Sequence, residues 1–115
     1  MSMERERKLL ALAAKAADIP LEKYGDLENG ELWIDDRGTW WNPLASDEDA
    51  FRLAIKLCIT VVVDKETGVI EAHYGEWDPD TCCRKFIEED TVQRSEFVAA
   101  RVAIVRAAAE LRAKL

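Results

Sequence analysis

Four side chains have the chemistry for nucleophilic or metal work: Cys58, His73, Cys82 and Cys83. A thiolate activated by a histidine base is the simplest arrangement that such residues form. His73 is the sole histidine, so it would have to be that base. It falls in an alternating stretch that puts it on the wetter face of a strand, where a surface histidine is the plainer reading. A zinc site takes four ligands, or three and a water. The chain has no C-x2-C or H-x3-H spacing, so no metal is expected. Arg84 and Lys85 follow the cysteine pair, and cations there would lower a thiol pKa. With no resolving motif nearby, Cys82 and Cys83 read as structural thiols. An odd number of cysteines, two of them adjacent, gives no closed disulfide set and fits a reducing compartment. The phosphate-binding, nucleophile-elbow and H-E-x-x-H motifs are missing. No catalytic residue and no cofactor is expected, and the chain reads as a non-enzyme.

A second group of residues suits contact rather than reaction. Arg37-Gly38-Thr39-Trp40-Trp41-Asn42-Pro43 follows closely on Trp33. Tryptophan favours cores and interaction hot spots. Neighbouring residues on a strand point to opposite faces, so Trp40 and Trp41 do not readily enter one core. One of them is free to anchor a partner; the competing reading buries it under a loop or the N-terminal helix. Arg37, Trp40 and Trp41 are the candidate partner-binding residues.

The elements that hold these groups are legible to different degrees. Residues 4–17 have the helical spacing of Leu9, Leu10, Leu12, Ala13, Ala16 and Ala17, ended by Asp18-Ile19-Pro20. Residues 18–31 read as a polar loop with turns at Gly25-Asp26 and Asn29-Gly30. Residues 32–35 and 39–41 are expected as short strands about the turn Asp36-Arg37-Gly38. Residues 46–58 are expected as a helix with Ser46 as N-cap and three acids in its first turn. Its stripe would be Ala50, Phe51, Leu53, Ala54, Ile55, Leu57 and Cys58.

Residues 59–76 read as a hairpin closed by Lys65-Glu66-Thr67-Gly68. Pairing Asp64 with Val69 puts Ile59, Val61, Val63, Ile70, Ala72 and Tyr74 on one face, and a one-residue slip mixes the faces. Thr81 to Ile87 is a third or edge strand, followed by a solvated acidic run at Glu88-Glu89-Asp90. Residues 91–114 form a long helix capped by Asp90, Thr91 or Ser95, with a stripe through Phe97, Ala100, Ile104, Ala107, Ala108, Leu111 and Leu115, widened by Val98, Val102, Val105 and Ala109. Arg101 and Arg112 lie near its apolar centre. Their stems should follow the core edge and their heads reach water or a carboxylate.

The chain has 115 residues, 49% hydrophobic and 34% charged, which is one ordered domain's worth. Its longest apolar runs fall far short of a membrane span. Lys15 and Asp18 break any signal-like run near the start, so a cytoplasmic protein is expected. The net charge of −7 counts against nucleic acid and anionic membrane. That charge is segregated. Residues 1–17 hold four bases against two acids, residues 94–115 five against two, and residues 18–93 seven against nineteen. The acidic middle either keeps the domain soluble or forms a negative surface for a basic partner.

Trp41-Asn42-Pro43-Leu44, the stretch Asp49 to Leu57, and the closing Ala100 to Glu110 together resemble a family of small phage and prophage proteins, the phage ABA-sandwich type. The resemblance covers roughly residues 40–76 and 95–111. It implies an α/β sandwich of phage origin and supplies no catalytic residues. The expected architecture is α+β: a small, mainly antiparallel sheet centred on hairpin 59–76, covered by an N-terminal, a central and a long C-terminal helix. The expected function is that of a non-enzymatic phage accessory protein in the host cytoplasm, acting on a protein partner or as a homodimer. The alternative is an acidic inhibitor or nucleic-acid mimic directed at a host protein. A small thiol or carboxylate enzyme is the third and weakest reading.

Overall fold

Ser46 starts the best-defined local element. Its hydroxyl accepts from the Asp49 amide at 3.2 Å, capping helix α2 (Asp47–Lys56). Such a cap contributes about 1 kcal/mol, and the three acids of the first turn oppose the positive end of the dipole. The other elements of the computed structural model, which describes residues 3–20, 22–27, 30–34 and 40–113, follow in chain order. They are α1 (Met3–Ala16), β1 (Glu22–Leu27), β2 (Gly30–Ile34), β3 (Thr60–Asp64), β4 (Val69–Asp78), β5 (Cys83–Asp90) and α3 (Glu96–Ala113). The fold is α+β.

Helices α1 and α2 end in the same way. Asp18 and Cys58 take left-handed backbone angles, φ 56° and 55°. The Asp18 amide donates to Lys15 O and the Ile19 amide to Ala14 O; the Cys58 amide donates to Ile55 O and the Ile59 amide to Ala54 O. Both are Schellman closures, a position that usually takes glycine.

Strands β3, β4 and β5 form an antiparallel sheet in that order. The β3–β4 register is the one the alternation requires: Asp64 opposite Val69, Val63 opposite Ile70, Val61 opposite Ala72. Gly68 closes the hairpin at φ 71°. A Cβ there would meet the Thr91 hydroxyl at 3.0 Å, so the position excludes side chains on two counts. Strand β5 runs through the acidic residues 88–90; Glu88 and Asp90 are exposed, as expected of a solvated run, while Glu89 is half-buried. Between the pairs Tyr74–Lys85 and Asp78–Cys83, β4 has three residues where β5 has only Arg84. Gly75 accommodates that irregularity at φ 77°.

Residues 22–27, expected as loop, form β1 instead. It pairs antiparallel with β2, with Leu27 opposite Gly30 and Glu22 opposite Ile34. The polar run Glu22-Lys23-Tyr24-Gly25 lacks the alternation that marks a strand, and its partner's backbone supplies the order. Residues 30–34 thus pair backwards in the chain, with β1. Of the expected strand 39–41, residues 40 and 41 are described, and Trp40 lies in an isolated bridge.

Helix α3 begins at Glu96, with Ser95 as its cap accepting from the Val98 amide at 3.2 Å. It packs against β4 and β5 and also against α1 and α2. Ala99, Val102, Ala103, Ile104, Val105, Ala107, Ala108 and Ala109 are all buried. A helix apolar nearly all round belongs inside a structure, and α3 is the middle layer between the sheet and the other two helices. Leu53 and Ile70 are each about 1% exposed, and burial of such a side chain contributes about 1.5–3 kcal/mol.

Candidate functional site

The reactive residues do not meet. Cys58 and Cys82 are exposed and Cys83 half-buried. Cys83 Sγ lies 3.4 Å from Thr81 Oγ1, and Cys82 Sγ lies 3.6 Å from Pro79 O. Arg84 does not serve a thiol. Its Nε donates to Gly75 O at 2.8 Å, Nη2 to Cys58 O at 2.7 Å and Nη1 to Thr60 Oγ1 at 3.3 Å. That fork ties β5 to the irregularity in β4 and to the end of α2, a structural use of a planar five-donor group. His73 is on the wetter sheet face, as the alternation requires. Its Nε2 is 2.9 Å from Glu71 Oε1, and its ring stacks on Phe86 with centroids 5.0 Å apart. Among the described residues, no group of three or more His, Cys, Asp or Glu is placed to hold a metal ion.

The two tryptophans separate. Trp41 is 4% exposed and belongs to the core; Trp40 is 52% exposed. The Asn42-Pro43 turn fixes this split. The Asn42 amide donates to Asp49 Oδ2 at 2.9 Å, and Asn42 O accepts from Ala45 and Ser46. Asn42 Oδ1 accepts from the Leu44 amide at 3.0 Å. The capping-box acid Asp49 therefore reaches back past the cap to hold the Trp41 segment, and is itself buried. Arg37 lies outside the described residues.

The largest departure from expectation is on α2 and α3. Ala50, Leu53 and Ala54 face inward. Phe51 and Ile55 sit one position further along, about 100° round the helix, and stay exposed. Phe97, placed in the core stripe by its spacing, is exposed as well: Ala99 of the same turn is buried, while Phe97 lies on the side of α3 that lines the groove with Ala100 and Ile104. Phe51 and Phe97 stand on either side of a groove of about 450 Å³ floored by Ala100 and Ile104. Arg101 lies at its rim, paired with Asp47 and donating from Nε to Leu44 O at 2.9 Å. This is the carboxylate contact its position near the apolar centre predicts. Glu48, also at the rim, is paired with Arg52 at 3.1 Å. The rim charges thus neutralise one another and leave the apolar floor and walls as the open feature. Phe51 and Phe97 are 66% and 61% exposed. At about 200 Å² for a phenylalanine, they present roughly 250 Å² of aromatic surface.

The signal for this groove was in the sequence. Seven apolar residues among 50–58 are more than one face of a short helix buries, so some had to point outward. Compared with known proteins, the chain matches no family model, no curated protein and no solved structure. Among the described residues, no helix is long and apolar enough to cross a membrane.

Proposed function

We propose that this protein acts by protein–protein contact rather than catalysis, and that the α2–α3 groove is the contact surface. One observation carries the reading: Phe51 and Phe97 are both more than half exposed on neighbouring helices around an apolar floor. An apolar patch of this order on a small domain marks an interaction site. Covering the two phenylalanines alone would release about 6 kcal/mol gross, before the cost of association. The groove takes an apolar side chain from a partner protein or from a second copy. The resemblance to phage ABA-sandwich proteins extends the reading to an accessory role in the cytoplasm of a phage-carrying host.

The test pairs sedimentation with affinity capture. Wild type and a Phe51→Ser/Phe97→Ser variant are compared for self-association and for proteins retained from host lysate. The reading expects a dimer or a specific captured protein that the variant loses while keeping its circular dichroism spectrum. A monomer whose captured set is the same in both forms would refute it.

A further inference from the structure

The β3–β4–β5 sheet has a second face. Helix α3 covers the side carrying Ile70, Ala72, Tyr74 and Ile87. The opposite side carries Val62 of β3, Glu71 and His73 of β4, and Phe86 and Glu88 of β5. Val62 and Phe86 are 43% and 41% exposed there. A hollow of about 300 Å³ opens beside Val62, with Asp64, Glu71 and Glu88 in its wall.

Strand alternation sorts the acids of β5. Glu89 points toward α3, where Arg106 pairs with it, and Arg94 of the preceding loop pairs with its other oxygen. Glu88 and Asp90 point the other way. Glu88 stands directly opposite Glu71, and like charges facing each other across a ladder are destabilising. Among the described residues, no lysine or arginine pairs with Asp64, Glu71, Glu88 or Asp90. The inward acid has two arginines and the outward acids have none. The chain thus keeps repelling carboxylates around exposed valine and phenylalanine, on a face with no cover among the described elements.

Charge decides what fits. Nucleic acid and anionic bilayers are repelled. A second copy meeting this face with its own would set carboxylates on carboxylates. A second copy offering its basic helix α1 would bind head to tail, because α1 lies across α3 from the sheet; that gives a ring or a filament and not a two-fold dimer, and residues 1–17 bring a surplus of only two bases. We propose that the outer face of the β3–β4–β5 sheet is a docking face for a cationic amphipathic segment of a different protein. Its bases lie over Glu71 and Glu88 and its apolar side chains over Val62 and Phe86. The proposal stands independently of the α2–α3 groove.

The test uses a short helical peptide with one leucine face and one lysine face, titrated into isotope-labelled protein and followed by amide shifts. The proposal expects shifts centred on Val62, Glu71, Phe86 and Glu88, with affinity falling steeply from low salt to about 0.3 M. Glu71→Gln/Glu88→Gln should weaken binding about tenfold at low salt while the variant melts no lower than wild type, because the repulsion is gone. Phe51→Ser/Phe97→Ser should leave the titration unchanged, which separates this face from the groove. Shifts centred on the groove, a Gln/Gln variant that binds like wild type, or equal binding of an all-lysine peptide of the same charge would each overturn it.

Discussion

Removal of Arg84 offers a direct measure of how the open end of the sheet is held. Its guanidinium reaches three acceptors on three segments: Gly75 O, Cys58 O and Thr60 Oγ1. A hydrogen bond from a charged donor contributes about 1.5–3 kcal/mol when sheltered. Here the residue is half-buried, the third contact is long, and water replaces the donor at each carbonyl once it leaves. Arg84→Ala should therefore cost about 2 kcal/mol in total. For a domain of this size that lowers the melting temperature by about 8 °C. Arg84→Lys should recover less than half, since one ammonium cannot span acceptors set for a fork. The loss should also be local. The Cys58 carbonyl belongs to the residue that closes α2, so exchange of the Cys58 and Ile59 amides should accelerate ahead of the amides of α3. Thermal melts and hydrogen exchange on the three proteins decide it. A change under about 0.5 kcal/mol for Arg84→Ala, with exchange at Cys58 and Ile59 unaltered, would show that the fork is ornamental.

Three further outcomes are expected. Asp49→Ala should cost about 2–3 kcal/mol by urea titration, because a buried carboxylate on the Asn42 amide and at a helix start is lost; tryptophan emission should shift red as Trp41 gains water. Cys58→Gly should stabilise by about 0.5–1 kcal/mol, relief of a left-handed Cβ outweighing the entropy of glycine, read from the same titration. Burial, with the Glu110 carboxylate adding and Lys85 opposing, raises the Tyr74 phenol above its ordinary range. The folded state then holds its proton where the unfolded chain has lost it, so stability is intact below about pH 10 and falls as pH rises above it. Tyr74→Phe should flatten that alkaline decline in denaturant midpoints.

The hairpin was legible to the residue because alternation there is strict: one slip turns Val61, Ile70 and Ala72 outward. The α2 cap was legible because Ser46 and its acids are local chemistry. β1 was not, since Glu22 to Asp26 has no hydrophobic rhythm and acquires order only by pairing. The acidic run 88–90 was legible only in part. Its charge says solvent, which holds for Glu88 and Asp90, yet strand parity turns Glu89 inward, toward Arg106 on α3. The alanines of α3 marked it as cover for the sheet, but a single stripe hid its place between two layers, where Ala99 and Ala103 are fully enclosed as well. Of the candidate residues, the opposed fates of Trp40 and Trp41 followed from adjacency. The exposure of Phe51 and Phe97 was not legible, because each stripe held more apolar residues than the packed face covers: Ala50, Leu53 and Ala54 on α2 and Ala99 and Ala103 on α3 fill it.

The alanine-rich interior sets which genetic changes the protein tolerates. More than half of the buried apolar residues among those described are alanine, drawn from α1, α2, β4 and α3. Alanine codons are one base from valine, threonine, serine, proline, aspartate, glutamate and glycine, and all but glycine are larger. Most proteins are damaged at their centres by truncation. Here the usual accident is enlargement, with steric strain or a buried hydroxyl or charge as its consequence. A saturation screen should find its most intolerant positions at Ala13, Ala72, Ala99, Ala103, Ala107 and Ala108, the smallest side chains in the molecule and among its least replaceable.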